Sequence, residues 1–276
     1  MSGFIDVHVH PPVSVLNAAG FRPYLPAAGV PEGPEGFEEL AEAYRRLDGF
    51  ALVHGFDAGS VLGRPALTTS RLAEEIAPFS DVLGGLGCVD PHRGAAAVVA
   101  AHDALRVGMR GLFFHPAAQQ FDPAGRRAAP IWEMADQLRL PVVVHCGATA
   151  LGAGRPGGAG ISLDFADPMR MDRVAARHPG LQIVLTGLSE PWLASALVVA
   201  FHKANIHLAP GLEPPDTLPP AFQAAMTGPM AARSMVGSGF PFATPAAWLD
   251  AWHAIGAGEQ SDRLVLRENA AQLFGL

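Results

Sequence analysis

Short apolar runs alternate along this chain with longer segments of helical periodicity. Runs at residues 4–10, 50–55, 83–89, 111–115, 142–146, 182–187, 205–209 and 234–239 end in glycine, proline or polar residues, which predicts strands. Between and after them, residues 37–47, 69–77, 94–107, 131–139, 168–178, 192–203, 218–232 and 245–255 carry apolar positions at helical spacing. Runs such as Val142-Val143-Val144 are apolar on both faces, as expected of a parallel sheet covered on both sides. Eight strand-then-helix units predict a parallel eight-stranded (β/α)8 barrel of the TIM type, with residues 1–276 as one domain. An open doubly wound sheet is the competing topology, but no glycine-rich loop follows the first strand to cradle a nucleotide. Gly152-x-Gly154-x-x-Gly157 has the letters of a dinucleotide fingerprint, yet Pro156 interrupts it and no helix is predicted there. Two long segments without periodicity, 11–36 and 147–165, follow the first and fifth strands, where barrel strands end, and read as binding loops or lids.

Composition narrows the class. Hydrophobic residues make up 49% of the chain and charged ones 16%, enough for a large core under a sparsely charged surface. A net charge of −7 without a basic run argues against nucleic acid or an anionic membrane as partner. The start of the chain has no basic leader and no apolar stretch has spanning length, so a soluble cytoplasmic protein is expected. Cys88 and Cys146, the two cysteines, lie in strand-like sequence and read as buried, inert thiols.

Candidate chemistry begins at Asp6-Val7-His8-Val9-His10. Side chains two apart on a strand share a face, so His8 and His10 project together, a pairing that suits zinc. In a barrel the reactive groups gather at the carboxyl ends of the strands. Those ends supply His54 and Asp57 after the second strand, Cys88 and Asp90 after the third, and His115 after the fourth. His145 and Cys146 close the fifth. His8, His10 and His145 can then converge, and three histidines with one open position suffice to hold Zn²⁺ and acidify a bound water. His92, His102, His178, His202 and His253 fall in loops or on helices away from this rim, and His207 sits inside the seventh strand as a core residue.

Ile5-Asp6-Val7-His8-Val9-His10, Gly111-Leu112-Phe113-Phe114-His115-Pro116 and Leu140-Pro141-Val142-Val143-Val144-His145-Cys146-Gly147 together resemble the amidohydrolase superfamily. Glu190-Pro191-Trp192, Gly237-Ser238-Gly239-Phe240-Pro241 and Glu268-Asn269-Ala270-Ala271 narrow the resemblance to the amidohydrolase-2 branch of decarboxylases, hydratases, lactonases and β-ketoacyl hydrolases. The resemblance covers essentially the whole chain and implies a metal-assisted barrel with the cation on histidines of the first and fifth strands. Two departures matter. The resemblance calls for a histidine at the end of the sixth strand, where Gly187 stands, and for an aspartate at the end of the eighth, where Gly239 stands. A polar residue usual on the fourth strand is Phe113 here. Loss of the carboxylate leaves a cation on neutral nitrogens alone and so more weakly held, and loss of a general base costs on the order of 10²–10⁴ in rate.

Three readings stay open at this point. In the first, an enzyme acts on a small apolar, carbonyl- or aromatic-containing substrate by an altered, metal-independent mechanism. His115, His54, Glu190 and Asp57 are then the catalytic candidates, with Glu213 beside them, and Phe113, Phe121, Trp192 and Phe240 line the pocket. In the second, a hydrolase or lyase retains zinc on His8, His10 and His145. In the third, a silent member binds a ligand or pairs, as a homodimer or with an active relative. Restoring Gly239→Asp and Gly187→His together is expected to raise metal occupancy if the histidine cluster is still shaped for it.

Overall fold

The computed structural model describes residues 3–18, 32–63 and 67–276. Seven parallel strands hydrogen-bond in chain order: β1 Phe4–Val9, β2 Gly49–His54, β3 Leu83–Cys88, β4 Gly111–Phe114, β5 Val142–His145, β6 Ile183–Thr186 and β7 Ile206–Ala209. The predicted eighth strand is replaced by an irregular segment that still closes the ring. Ser234 bridges to Leu208 on β7, while Val236 and Phe240 bridge to Asp6 and Val9 on β1, all in parallel sense. Met235 N–H donates to Leu208 at 2.8 Å, and Val7 N–H donates to Val236 at 2.9 Å. A continuous ladder fails here because Gly239 adopts φ +74°, outside the extended region.

The helices follow the predicted periodicity closely: Phe37–Arg46, Thr69–Ile76, Ala95–Arg106, Ala129–Gln137, Met169–Arg177, Leu193–His202 and Pro245–Ile255. The segment expected at 218–232 is shorter. Its helix runs Pro220–Thr227, started by Pro219-Pro220 and ended at Gly228, and Ala231–Arg233 forms a separate 3₁₀ turn. In the segment 11–36, Val13–Ala18 is helical and residues 19–31 lie outside the described residues. In 147–165, two 3₁₀ turns form, Pro156–Gly160 and Leu163–Ala166, and no α-helix opens after the glycine motif.

Two apolar layers hold the barrel. Between strands and helices pack Leu40, Tyr44, Phe114, Trp132, Phe222 and Trp252. Inside the ring, every strand contributes a side chain, from Ile5, Val7 and Leu52 through Leu86, Phe113 and Val143 to Val184, Ala209 and the closing Met235. Each such aliphatic or aromatic side chain contributes about 1.5–3 kcal/mol by leaving water. Cys88 and Cys146 are buried and unbridged, and burial pushes both thiols up, away from thiolate chemistry. Among the described residues no helix is long and apolar enough to cross a membrane.

One irregularity in β1 positions the site. Asp6 pairs with Ala51 but Val9 pairs with Val53, so β1 carries one more residue than β2 over the same span. This bulge breaks the alternation of faces. Asp6 turns toward the helix Phe37–Arg46, where Tyr44 Oη donates to its carboxylate at 2.8 Å. Two residues on, the His8 ring faces into the barrel, 5.8 Å from Phe113 between ring centroids.

Candidate active site

Five histidines from four strand ends meet at the carboxyl-end mouth of the barrel. His8 lies on β1 with His10 just beyond its end, His54 and His145 end β2 and β5, and His115 follows β4. Ring centroids of His10 and His54 lie 4.5 Å apart, His8 and His10 5.0 Å, and His8 and His54 5.6 Å. One ring nitrogen from each of these three sits within 4.8 Å of the other two. His115 and His145 form a second pair, stacked at 4.0 Å, with the His145 ring 5.8 Å from His8. Phe113 stacks under His54 at 3.7 Å and forms the floor.

The environment keeps these rings neutral. Burial and the neighbouring imidazoles hold His8, His10 and His115 well below the ordinary histidine range, burial alone dominates at His54, about 3, and His145 falls to about 4. Both ring nitrogens of His8, Nε2 of His54 and Nδ1 of His145 are buried without a hydrogen-bond partner. His54 Nδ1 lies 3.1 Å from the carbonyl of Gly55. A nitrogen against a carbonyl oxygen must carry the proton, so His54 Nε2 presents a lone pair to His8 and His10. Lone pairs converging from neutral imidazoles, one fixed by a carbonyl behind it, are the donor set of a divalent cation site. His8, His10 and His54 form a group that could hold such a cation.

Beside the cluster opens a cavity of about 120 Å³. His10, His54, His115 and His145 form its polar side; Val15, Leu16, Phe56, Leu151, Leu212 and Phe242 form the apolar one, with Pro11 and residues 148–150 completing the wall. No carboxylate lines it among the described residues. The volume approaches that of an engineered cavity able to take benzene, about 150 Å³. Gln119, 1% exposed, braces the rim: its side chain donates to the carbonyls of Asp57 at 2.7 Å and Val89 at 2.8 Å, and accepts from His115 N–H at 2.9 Å. It thereby fixes the loops after β2, β3 and β4 against one another.

Of the other sequence candidates, several lie apart from this cavity. Asp57 accepts from Gly59 N–H at 3.0 Å and sits 3.6 Å from Arg93, a turn-forming role. Glu190 is exposed, Glu213 is half-buried outside the cavity lining, and Trp192 stands at the start of the helix Leu193–His202. Phe121 packs on Phe114 at 6.0 Å and Phe240 faces Tyr44 at 6.3 Å, both in the layer between barrel and helices. Leu212, Phe242 and Gln119 carry no pattern in the sequence that marks them as site residues: the first two arrive from loops, and Gln119 ends the short helical turn Pro116–Gln119 after β4.

The two glycines have physical consequences. Gly187 has φ +62°, and a Cβ there would lie 2.2 Å from His145 Nε2, so the His145 ring occupies the space of a missing side chain. At Gly239 a Cβ would lie 2.6 Å from Leu212 Cδ2. Each vacated position is filled by a neighbour, an imidazole in one case and an isobutyl group in the other.

The family model described as Amidohydrolase, of the amidohydrolase-2 type, matches residues 5–276. No curated protein matches the chain. An uncharacterized TIM-barrel protein from Bordetella bronchiseptica superposes with a TM-score of 0.78 at 18% identity, covering 99% of this chain and 98% of its own. The 2,6-dihydroxybenzoate decarboxylase from Rhizobium superposes with a TM-score of 0.72 at 16% identity, covering 100% and 99%. The 5-carboxyvanillate decarboxylase LigW2 from Novosphingobium aromaticivorans, a D314N mutant with bound manganese and a nitrobenzoic acid, gives 0.70 at 14% identity, covering 100% and 97%. With its barrel, its histidine-lined mouth and a family match over nearly its full length, this chain belongs to the amidohydrolase-2 family.

Proposed function

We propose that the protein is a lyase or hydrolase acting on a compact, largely apolar carbonyl- or aromatic-containing molecule in this cavity, with a divalent cation on His8, His10 and His54. The observation that carries the reading is His8. Both of its ring nitrogens are buried and unpartnered inside a cluster of neutral imidazoles. An unpaired buried polar atom costs about 1–3 kcal/mol, and a cation among the rings removes that cost. This favours a cation over the metal-free mechanism that the missing carboxylate suggests.

A bound divalent cation supplies Lewis-acid polarisation of a substrate oxygen and an acidified water. The chain's own residues do the rest. His54 is held in one tautomer by Gly55, and its ring is fixed by the Phe113 stack. The His115–His145 pair, neutral near pH 7, lines the cavity and offers imidazole nitrogens for hydrogen bonds to a bound substrate or water. Val15, Leu16, Leu212 and Phe242 keep water away from the reacting carbon. The activities for which two similar barrels are named, decarboxylation of dihydroxybenzoate and carboxyvanillate, support an aromatic acid as the first substrate class to test. An all-imidazole donor set suits zinc better than manganese.

The test is elemental analysis of protein purified without chelator or histidine tag, followed by carbon dioxide release from a panel of aromatic acids. Near-stoichiometric metal, lost in the His8→Ala/His10→Ala variant, is expected. Protein that stays metal-free after incubation with zinc sinks the cation reading. A second reading then stands on the absence of any lining carboxylate: the neutral imidazoles of His115 and His145 bind and orient the polar end of a ligand without metal.

A further inference from the structure

One wall of the cavity is built by a residue in an unfavourable conformation. Leu212 has φ +73°, a region that branched side chains rarely enter and that costs about 1–2 kcal/mol relative to glycine. Its N–H donates to the carbonyl of Ser238 at 3.0 Å, and Ser238 in turn donates to the buried carboxylate of Asp6. The preceding residue, Gly211, lies against the cluster: a Cβ there would stand 3.3 Å from His8 Nδ1. Residues 211 and 212 are therefore fixed from both sides, and the Leu212 side chain is directed into the space left empty at Gly239, where it lines the cavity. A glycine would satisfy the same backbone without strain, so the strain is offset by what the side chain contacts.

We propose that Leu212 is the specificity-determining residue of this cavity, an apolar wall standing in the space next to Gly239 that admits ligands presenting an uncharged apolar face there. The proposal rests on the reading of the cavity as a substrate site. A polar group on the ligand's Leu212-facing side would lose its water and find no partner, since Leu212, Phe242, Leu16 and Val15 offer none from their side chains. The histidines that line the same cavity take the polar end. Leu212 thus sets which end of a ligand points where, as well as which ligands enter.

The experiment is an NMR titration of the as-purified protein with toluene, phenol and naphthalene. In Leu212→Asn the amide keeps the volume close to that of leucine, and asparagine enters the left-handed region readily. That variant is expected to lose about tenfold in affinity for toluene relative to phenol. Leu212→Ala removes the wall and is expected to favour naphthalene over toluene more than the parent does, which keeps the test open if the asparagine variant fails to fold. Parent protein that binds toluene and phenol, with both ratios unchanged in the variants, overturns the role of Leu212 and leaves the cavity reading intact. Parent protein that binds none of the three probes overturns both.

Discussion

A neutral, buried histidine is a store of pH sensitivity. A free imidazole titrates near 6.5, whereas burial holds His54 at about 3 and His145 and His207 at about 4 in the folded chain. The folded pKa lies below the unfolded one, so between those values the unfolded chain takes up protons that the fold refuses. Stability from each ring is complete above pH 6.5 and is lost as pH falls toward the folded value, with a slope on the order of 1.4 kcal/mol per pH unit per histidine. Urea midpoints of metal-free protein should therefore fall steeply from pH 6.5 to 4.5. His207 gives a clean control, because it is outside the cavity lining and its Nε2 is 2.9 Å from Gln182 Oε1. His207→Gln should remove one histidine's share of the slope while leaving zinc binding unchanged; a slope identical to the parent's would show that His207 takes up its proton without opposing the fold. At this scale the sequence exposed which imidazoles meet, since strand-end position marked His8, His10, His54, His115 and His145. It hid their partnership. His54 joins His8 and His10 while the His145 ring leans on His115, an arrangement that depends on the empty space at Gly187.

At the scale of elements, the bulge in β1 decides the site. Strict alternation places Asp6, His8 and His10 on one face, and the structure instead divides them, with Asp6 outward and the histidines inward. The extra residue leaves no mark in a pattern of alternating valines, so it was illegible beforehand. The seven regular strands and their helices were legible because short apolar runs alternate with segments of helical spacing, punctuated by glycine, proline or polar residues; the eighth was not, since its glycine leaves the extended region. Asp6 holds the bulge. Its carboxylate accepts from Tyr44 Oη, from the Ser238 hydroxyl, from Ser238 N–H at 3.0 Å and from His8 N–H at 3.1 Å, joining β1 to the closing segment. Burial pushes the Asp6 pKa up, and these donors, all of which favour the ionised form, pull it back. Asp6→Ala would orphan several buried donors at once, at about 3–5 kcal/mol, which lowers Tm by roughly 10 °C in a chain of this size. Calorimetry should show that drop, with a smaller one for Asp6→Asn, whose oxygen still accepts. Equal Tm values for parent and Asp6→Ala would mean that the closing segment is held by its backbone bridges alone.

Across the whole molecule, a barrel mouth is a ring in which every strand end meets its neighbours, so a residue lost at one point is compensated from another. That coupling is why the two glycines cannot be reversed one at a time. Gly239→Asp brings a carboxylate to the rim, but its Cβ meets Leu212 Cδ2 at 2.6 Å and its backbone stays at φ +74°. Leu212→Gly frees that space and relieves the strain at φ +73°. The double variant should bind zinc at least about tenfold more tightly than the parent, because an anionic oxygen joins neutral nitrogens, while Gly239→Asp alone gains little. Calorimetric titration of the four proteins forms a thermodynamic cycle, and a coupling energy near zero would show that Leu212 moves aside freely. Gly187→His behaves differently. A Cβ at 187 meets the His145 ring at 2.2 Å, so the new side chain must break the stack on His115 to enter. The expected outcome is a less stable protein with no gain in zinc affinity, unless His145→Ala accompanies it. Replacing both glycines while leaving Leu212 and His145 in place is therefore expected to add a carboxylate and an imidazole without a gain in zinc affinity.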